Sequence, residues 1–291
     1  MDLDAVLVRG GVVSRARVAG LAALLSGLLL TVELLLAWSV AVPLGYRFGA
    51  VPLLSLLPAA TVGVVAVGGA LLWRGHRTAG TALVASTSLL ALPLAADVVH
   101  TLAGSGPDQR TLGAALVLLG AVGSLFLAAV LGLRTVPSRP PRRPAHPGVL
   151  VLVAVAATGL FWPVVSTQVP LELFDATAWS RPLAMTALDG LDRWRHLLTA
   201  VVPIALLLYA ATTARRVGAL VVVAVVLPWL AGDLGSAVAA TREAAWFFTP
   251  AGWLSLAGQG GLLLLAAAWW RRGEPLDTVF AVETDEQPTT G

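Results

Sequence analysis

The residues of this sequence best suited to chemistry are a few ionisable side chains within long apolar runs. Asp97 and His100 are three residues apart, so they share one face if their segment is helical. A carboxylate beside an imidazole could relay protons or help to hold a cation. The two residues could equally form a structural pair near the end of the apolar run, and both interpretations stay open.

Four further polar residues lie in similar surroundings. Glu33 is followed by three leucines, Asp233 lies close to two glycines, and Gln168 and Gln259 are weaker candidates. An ionisable group at the centre of a membrane span costs at least about 2.5 kcal/mol, so such groups are usually paired, buried or functional. Glu33 and Asp233 are therefore either hydrogen-bonded packing residues or parts of a binding site.

Tryptophan supplies another group of candidates, with 10 residues in the chain. Most are expected in the aromatic belts at the two membrane surfaces, where Trp is enriched. Trp162 and Trp229 fall deeper in their apolar runs than a belt requires. They are therefore candidates for stacking against a lipid or another amphiphilic ligand on the outer side of the membrane.

The composition indicates that membrane-spanning helices carry these residues. Of the 291 residues, 57% are hydrophobic and 12% are charged, and the mean hydropathy is +0.85. An average soluble domain is roughly 25% charged. This balance excludes a soluble globular protein, a disordered chain and a coiled coil. We predict an all-α integral membrane protein.

Two missing residue types narrow the chemistry further. The chain has no cysteine, which excludes disulfides, thiolate metal sites and thiol nucleophiles. All 19 basic residues are arginine, so there is no lysine for a Schiff base or a P-loop. With so few histidines we expect no metal site, and we expect no cofactor. The arginines are scattered and form no nucleic-acid-binding patch.

Apolar runs of about 20 residues, the length of a bilayer-spanning helix, occur eight times. Pro163, Pro203 and Pro228 interrupt the fifth, sixth and seventh runs and would permit kinks there. The runs cover approximately residues 18–40, 50–73, 78–102, 111–133, 148–168, 196–214, 217–239 and 252–270.

The arginines predict an orientation for these spans. If the N-terminus is cytoplasmic, 13 of the 19 arginines lie on cytoplasmic segments and 6 on outer ones. The positive-inside rule therefore predicts a multi-pass protein of the cytoplasmic membrane with both termini in the cytoplasm. All six polar candidates then lie in the outer parts of their spans, where they could line a cavity open to the outside.

A Pro/Arg-rich segment divides the chain into two four-helix halves. Residues 134–147 contain five prolines and four arginines, a composition that fits neither a helix nor a core. An even number of spans gives the two halves the same orientation, so any duplication would be parallel. The predicted units are a cytoplasmic segment 1–17, a first half 18–133, the linker 134–147, a second half 148–272 with an outer interfacial loop 169–195, and a disordered acidic tail 273–291.

Three functions are compatible with these features. The favoured one is a non-enzymatic accessory or assembly subunit, a scaffold whose partners are the lipid bilayer and a membrane-protein complex. The second is a small transporter or permease with an outward-facing polar cavity. The third is a membrane-embedded enzyme that acts on a lipid-linked or extracytoplasmic substrate, with Asp97 and His100 as its acid/base pair. The second and third need the polar candidates to meet in one place, whereas the first does not.

Overall fold

The computed structural model describes residues 14–41, 56–103, 109–136, 143–161, 165–166, 190–242 and 247–273. These ranges contain helices and two short strands. They are α1 (Arg15–Ala41), α2 (Leu56–Trp73), α3 (Arg77–Leu90), α4 (Leu92–Ala103), α5 (Gln109–Leu133), α6 (Pro147–Phe161), β1 (Val165–Ser166), α7 (Gly190–Thr212), α8 (Arg215–Arg242), β2 (Phe247–Phe248) and α9 (Pro250–Arg272). Each of the eight apolar runs contains at least one of these helices.

Five of the helices, α1, α2, α5, α8 and α9, are long and apolar enough to cross a membrane. Two shorter apolar helices are α6 and the Leu198–Thr212 part of α7. Large apolar side chains cover the outward faces, such as Leu264 at 76% exposure and Leu28 at 61%. An apolar surface of this extent is suited to contact with lipid rather than with water. The helices therefore indicate an all-α membrane protein.

The apolar run 78–102 forms two helices rather than one. α3 and α4 are separated at Ala91, whose N–H still donates to the carbonyl of Thr87 at 3.0 Å. Pro93 has no N–H, so it cannot donate to the carbonyl four residues earlier, and its ring crowds that turn. We attribute the interruption to this proline.

The fifth predicted span is too long. The apolar run extends over 148–168, but α6 ends at Phe161, and Val165–Ser166 forms the strand β1. β1 pairs with β2 in an antiparallel two-stranded sheet, so the described chain is not purely helical. Proline disfavours the helical conformation of the residue that precedes it. Pro163, which lies in the sequence between α6 and β1, therefore disfavours continuation of the helix although the apolar run continues.

The sixth span also has different bounds. α7 begins at Gly190, whereas the apolar run predicts a start near residue 196, so the end of the predicted loop 169–195 is helical. The first turns of α7 are helical but contain the charged residues Asp192, Arg193 and Arg195. These turns therefore fall outside the apolar run. The rest of that loop, the middle of the linker, residues 1–13 and the tail after residue 273 lie outside the described residues.

Each half is a ring of helices. In the first half α1 packs against α2 and α5, and α3 packs against the same two helices. In the second half α9 packs against α6 and α8, and α7 packs against the same two. If α3 and α4 are counted as one interrupted helix, both rings have the same order, in which each helix contacts the next and the fourth returns to the first.

The two halves meet through their second and third helices. α8 contacts α2 and α3, and α7 contacts α3 and α4. Val64, Leu83 and Ala224 form a buried cluster where α2, α3 and α8 meet. A two-fold axis along the membrane normal would exchange α2 with α7 and α3–α4 with α8, and it would preserve these contacts.

Small residues let the helices approach closely within each half. A Cβ atom on Gly20 of α1 would lie 2.8 Å from the carbonyl oxygen of Gly69 on α2. A Cβ atom on Gly258 of α9 would overlap the backbone of Ala156 on α6. Lipid tails are as apolar as the helices, so association in a membrane depends on such close van der Waals contact.

Arginine–tryptophan pairs mark the end of the bundle at which α1, α3, α6 and α8 begin, here called the basic end. The guanidinium of Arg17 lies 5.9 Å from the ring centre of Trp73. The guanidinium of Arg216 lies 5.5 Å from the ring centre of Trp270. Arg over the face of Trp gains a cation–π interaction, and Trp is enriched at membrane surfaces. The other end of the bundle is called the opposite end.

Candidate functional site

A hydrogen-bonded cluster of three polar side chains lies inside the second half, and it is called the Asp233 cluster. Gln259 Nε2 donates to Asp233 Oδ2 at 2.7 Å, and Ser255 Oγ lies 3.0 Å from the same oxygen. Gln259 Nε2 also lies 2.8 Å from Ser255 Oγ. Asp233 is 8% exposed, and Ser255 and Gln259 are fully buried. The carboxylate oxygen therefore receives its hydrogen bonds from within the protein.

The Asp233 cluster joins three helices. Asp233 lies on α8, and Ser255 and Gln259 lie four residues apart on one face of α9. Ser255 Oγ is also 3.1 Å from the carbonyl oxygen of Ala156 on α6, so its single proton can be given either to Asp233 or to Ala156. The cluster thus connects α6, α8 and α9 through side chains in addition to their packing.

Local features of the sequence position α9 for these contacts. Thr249 caps the N-terminus of α9, since its hydroxyl accepts from the Gly252 N–H at 3.1 Å. Pro250 occupies the first turn, where its missing N–H leaves no donor unpaired. Gly258 provides the close approach to α6 that brings Ser255 within reach of Ala156.

The amide of Gln259 is only partly used. Its Oε1 atom is buried and has no hydrogen-bond partner among the described residues. A buried acceptor without a partner costs about 1–3 kcal/mol. The Asp233 cluster therefore keeps one acceptor that can still receive a hydrogen bond.

A second feature is a cavity of about 260 Å³ between the two halves, called the central cavity. Described residues of α1 to α8 line it, and none from α9 does. Pro93 on α4 and Pro228 on α8, from the third helix of each half, both contribute to its wall. The side chain of Trp229 also lies in the wall, next to Pro228.

The central cavity is apolar in character. Among its described lining residues, only Ser26, Thr61, Thr87 and Thr199 carry hydroxyl groups, and none is charged. Ser26 donates to the carbonyl of Ala121 at 2.8 Å. Thr61 and Thr87 each donate to the carbonyl four residues earlier in their own helix, at 2.9 and 2.8 Å. At least three of the four hydroxyl protons are therefore already used, and the cavity suits an apolar group.

No family model matches the chain, and neither a curated protein nor a solved structure shows significant similarity to it. The Asp233 cluster and the central cavity are therefore the features on which an inference of function depends. They share α8 but differ in the other helices that form them, because α9 supplies two members of the cluster and none of the described cavity lining.

The structure places the predicted site residues in different surroundings. Asp233 and Gln259 lie together in the Asp233 cluster, and Trp229 lies in the wall of the central cavity. Glu33 is half-buried on α1 and is not among the described lining of that cavity. Of these four candidates, Asp233 and Gln259 are the pair that the described hydrogen bonds bring together.

The remaining candidates cannot be placed in the same way. Asp97 and His100 fall on α4, three residues apart, but their side chains lie outside the described part of the structure. Trp162 and Gln168 also lie outside it.

Ser255 and the central cavity were not predicted from the sequence. Ser255 precedes Gln259 by four residues, so helical spacing was an available signal. The sequence signals near the cavity were Trp229, a predicted ligand-stacking residue, and the prolines. Pro93, Pro203 and Pro228 all contribute to its wall, although prolines are common in membrane helices of every function.

Proposed function

We propose that this chain is a non-enzymatic accessory or assembly subunit, a helical scaffold of the cytoplasmic membrane. We infer eight spans, with α3 and α4 as one interrupted span and α6 and α7 as the shorter ones. The basic end faces the cytoplasm and carries both termini, since the arginines are concentrated there.

The hydrogen bonds that the buried polar groups make between helices support the scaffold role most directly. Asp233, Ser255 and Gln259 bond to one another and to the backbone of Ala156, which ties α6, α8 and α9 together. A catalytic carboxylate needs access to a substrate, and a transport site needs a polar path. Asp233 is 8% exposed, and its Oδ2 atom already accepts from its neighbours. Its contacts fit a role in holding helices together.

The two alternatives have less support. A polar solute in the central cavity would lose its hydration and gain few hydrogen bonds, because the described lining is mostly apolar and three of its hydroxyls already donate within the protein. This favours the scaffold over a permease for polar compounds. The enzyme alternative depends on Asp97 and His100, and their mutation is the way to examine it.

The proposal is tested by a pull-down of the tagged full chain from its native membrane in mild detergent, read by mass spectrometry. We expect one or more protein partners in stoichiometric amount. A second tagged multi-pass protein of similar abundance serves as the control for proteins captured non-specifically. Recovery of the chain alone, at the same yield of tagged protein, would contradict the subunit role.

A pair of substitutions separates the scaffold from the enzyme. If the chain is a scaffold, Asp97→Asn and His100→Ala should leave its partners and their activity unchanged while expression stays normal. Abolition of a cellular activity with expression and partner recovery both intact would instead favour the membrane-embedded enzyme.

A further inference from the structure

We propose that the central cavity binds the hydrocarbon chain of a membrane lipid. The inference requires only that the helix bundle lies in a bilayer, and it does not depend on the role as a subunit.

The lining of the central cavity determines the class of ligand. The described wall consists of hydrocarbon side chains, the Trp229 ring, and hydroxyls of which at least three donate within the protein. Apolar cavities stay dry, because a water molecule needs several polar partners. A polar head group would meet few free donors or acceptors in this wall, whereas a hydrocarbon chain needs none.

The volume indicates how much of a lipid can enter. A buried apolar cavity of about 150 Å³ is large enough to bind benzene. Pockets for drug-sized molecules are about 300 Å³ or larger. At about 260 Å³ the central cavity fits part of a single chain and is too small for a whole lipid.

The exposed part of the wall offers a lateral entrance. Leu57 on α2 and Leu94 on α4 line the cavity and are 45% and 37% exposed. They belong to faces that would contact lipid, so a chain can enter from the bilayer while its head group stays at the surface. Leu57 is the second residue of α2, which begins at the opposite end of the bundle. The lipid therefore comes from the leaflet at the opposite end, which is the outer leaflet in the proposed orientation.

Binding has a driving force even though the cavity and the lipid are both apolar. Side chains that border a void lose van der Waals contacts on that side. Pro93, Pro203 and Pro228 stand in the wall, and proline kinks a helix by removing a backbone hydrogen bond. A lipid chain that fills the void restores the missing contacts without moving the helices.

Photo-cross-linking of the wild-type full chain tests the proposal. The protein is placed in nanodiscs of phosphatidylcholine that carry a diazirine at the end of one acyl chain, and adducts are mapped by mass spectrometry. We expect adducts on deep lining residues such as Leu125 and Val202. Adducts confined to exposed outward residues such as Leu264 and Val67 would overturn the proposal.

A matched pair of variants on α5 tests occupancy. Val122 lines the central cavity and is 7% exposed, whereas Val130 is 47% exposed and faces outward. Val122→Phe should lower the adduct yield on the lining about tenfold, which corresponds to 1.4 kcal/mol of lost binding free energy. Val130→Phe should leave that yield unchanged. An equal yield in both folded variants would contradict the proposal, and if Val122→Phe does not fold, the wild-type adduct map decides alone.

The same experiment identifies the class of lipid that supplies the hydrocarbon chain. An acyl-chain diazirine and a polyprenyl-chain diazirine are compared at equal concentration. Lining adducts with both reagents indicate a site for any hydrocarbon chain, and adducts with one reagent assign the site to that lipid class. Lining adducts with neither reagent would contradict the proposal.

Discussion

The side-chain amide of Gln259 donates a 2.7 Å hydrogen bond to the carboxylate of Asp233 and so joins α9 to α8 inside the second half. Both side chains are buried, at 0% and 8% exposure. In a membrane interior neither group can turn to water instead, so the loss of either residue leaves the other with Ser255 as its remaining hydrogen-bond partner in the cluster. The two residues therefore act as one structural unit, in which Ser255 is the third member.

Removal of the carboxylate should destabilise the bundle. Asp233→Ala removes one of the two acceptors of Gln259 Nε2 and leaves Ser255 Oγ as the other, and we expect a loss of roughly 1–2 kcal/mol in the free energy of unfolding. Asp233→Asn keeps an oxygen acceptor and should lose less. The measurement is unfolding in mixed detergent micelles with rising SDS.

Two controls make this first prediction specific. Leu234, the next residue on α8, is 45% exposed, so Leu234→Ala should change stability little. The double variant of Asp233→Ala and Gln259→Ala should cost less than the sum of the two single changes, because it leaves no partner unpaired. Full additivity, or a stable Asp233→Ala variant, would show that the hydrogen bond does not stabilise the fold.

Two glycines on α9 should respond in opposite ways to the same substitution. A Cβ atom on Gly258 would overlap the backbone of Ala156, whereas a Cβ atom on Gly260 would meet nothing within 4 Å. Gly258→Ala should therefore force α6 and α9 apart and cost about 1–3 kcal/mol. Gly260→Ala should be neutral or stabilise the helix by up to about 1 kcal/mol. Equal SDS unfolding midpoints for the two variants would contradict the close packing of α6 and α9.

A leucine pair on the same helix compares the core with the lipid-facing surface. Leu262 is fully buried and Leu264 is 76% exposed. In a membrane, truncation loses packing rather than transfer free energy, since lipid is as apolar as leucine. We expect Leu262→Ala to cost about 2 kcal/mol through the void it leaves, and Leu264→Ala to cost little. If Leu264→Ala proved the more destabilising, α9 would be rotated relative to the structure.

Hydropathy predicted where helices occur better than where they end. The length of a bilayer span is a physical constraint that apolar runs display directly, and each of the eight runs contains a helix. Hydropathy reports the environment of a residue rather than its backbone conformation. It therefore extended the fifth span beyond Phe161, the last residue of α6, and it started the sixth span after the charged first turns of α7.

Two of the three members of the Asp233 cluster were predictable from the sequence, but their contacts were not. Asp233 and Gln259 are conspicuous as polar residues within apolar runs. Their pairing depends on how α8 and α9 are rotated about their axes, and the periodicity of one helix does not determine the rotation of its neighbour. The central cavity arises from the spacing of eight helices, which no single segment encodes.

The proposed orientation can be tested because the chain has no cysteine, so a single introduced thiol is the only one present. Pro250 and Arg271 are exposed at the two ends of α9. With the basic end in the cytoplasm, Pro250→Cys should react with a membrane-impermeant maleimide on intact cells. Arg271→Cys should react only after permeabilisation. The reverse pattern would place the termini outside, and the lipid chain in the central cavity would then come from the cytoplasmic leaflet.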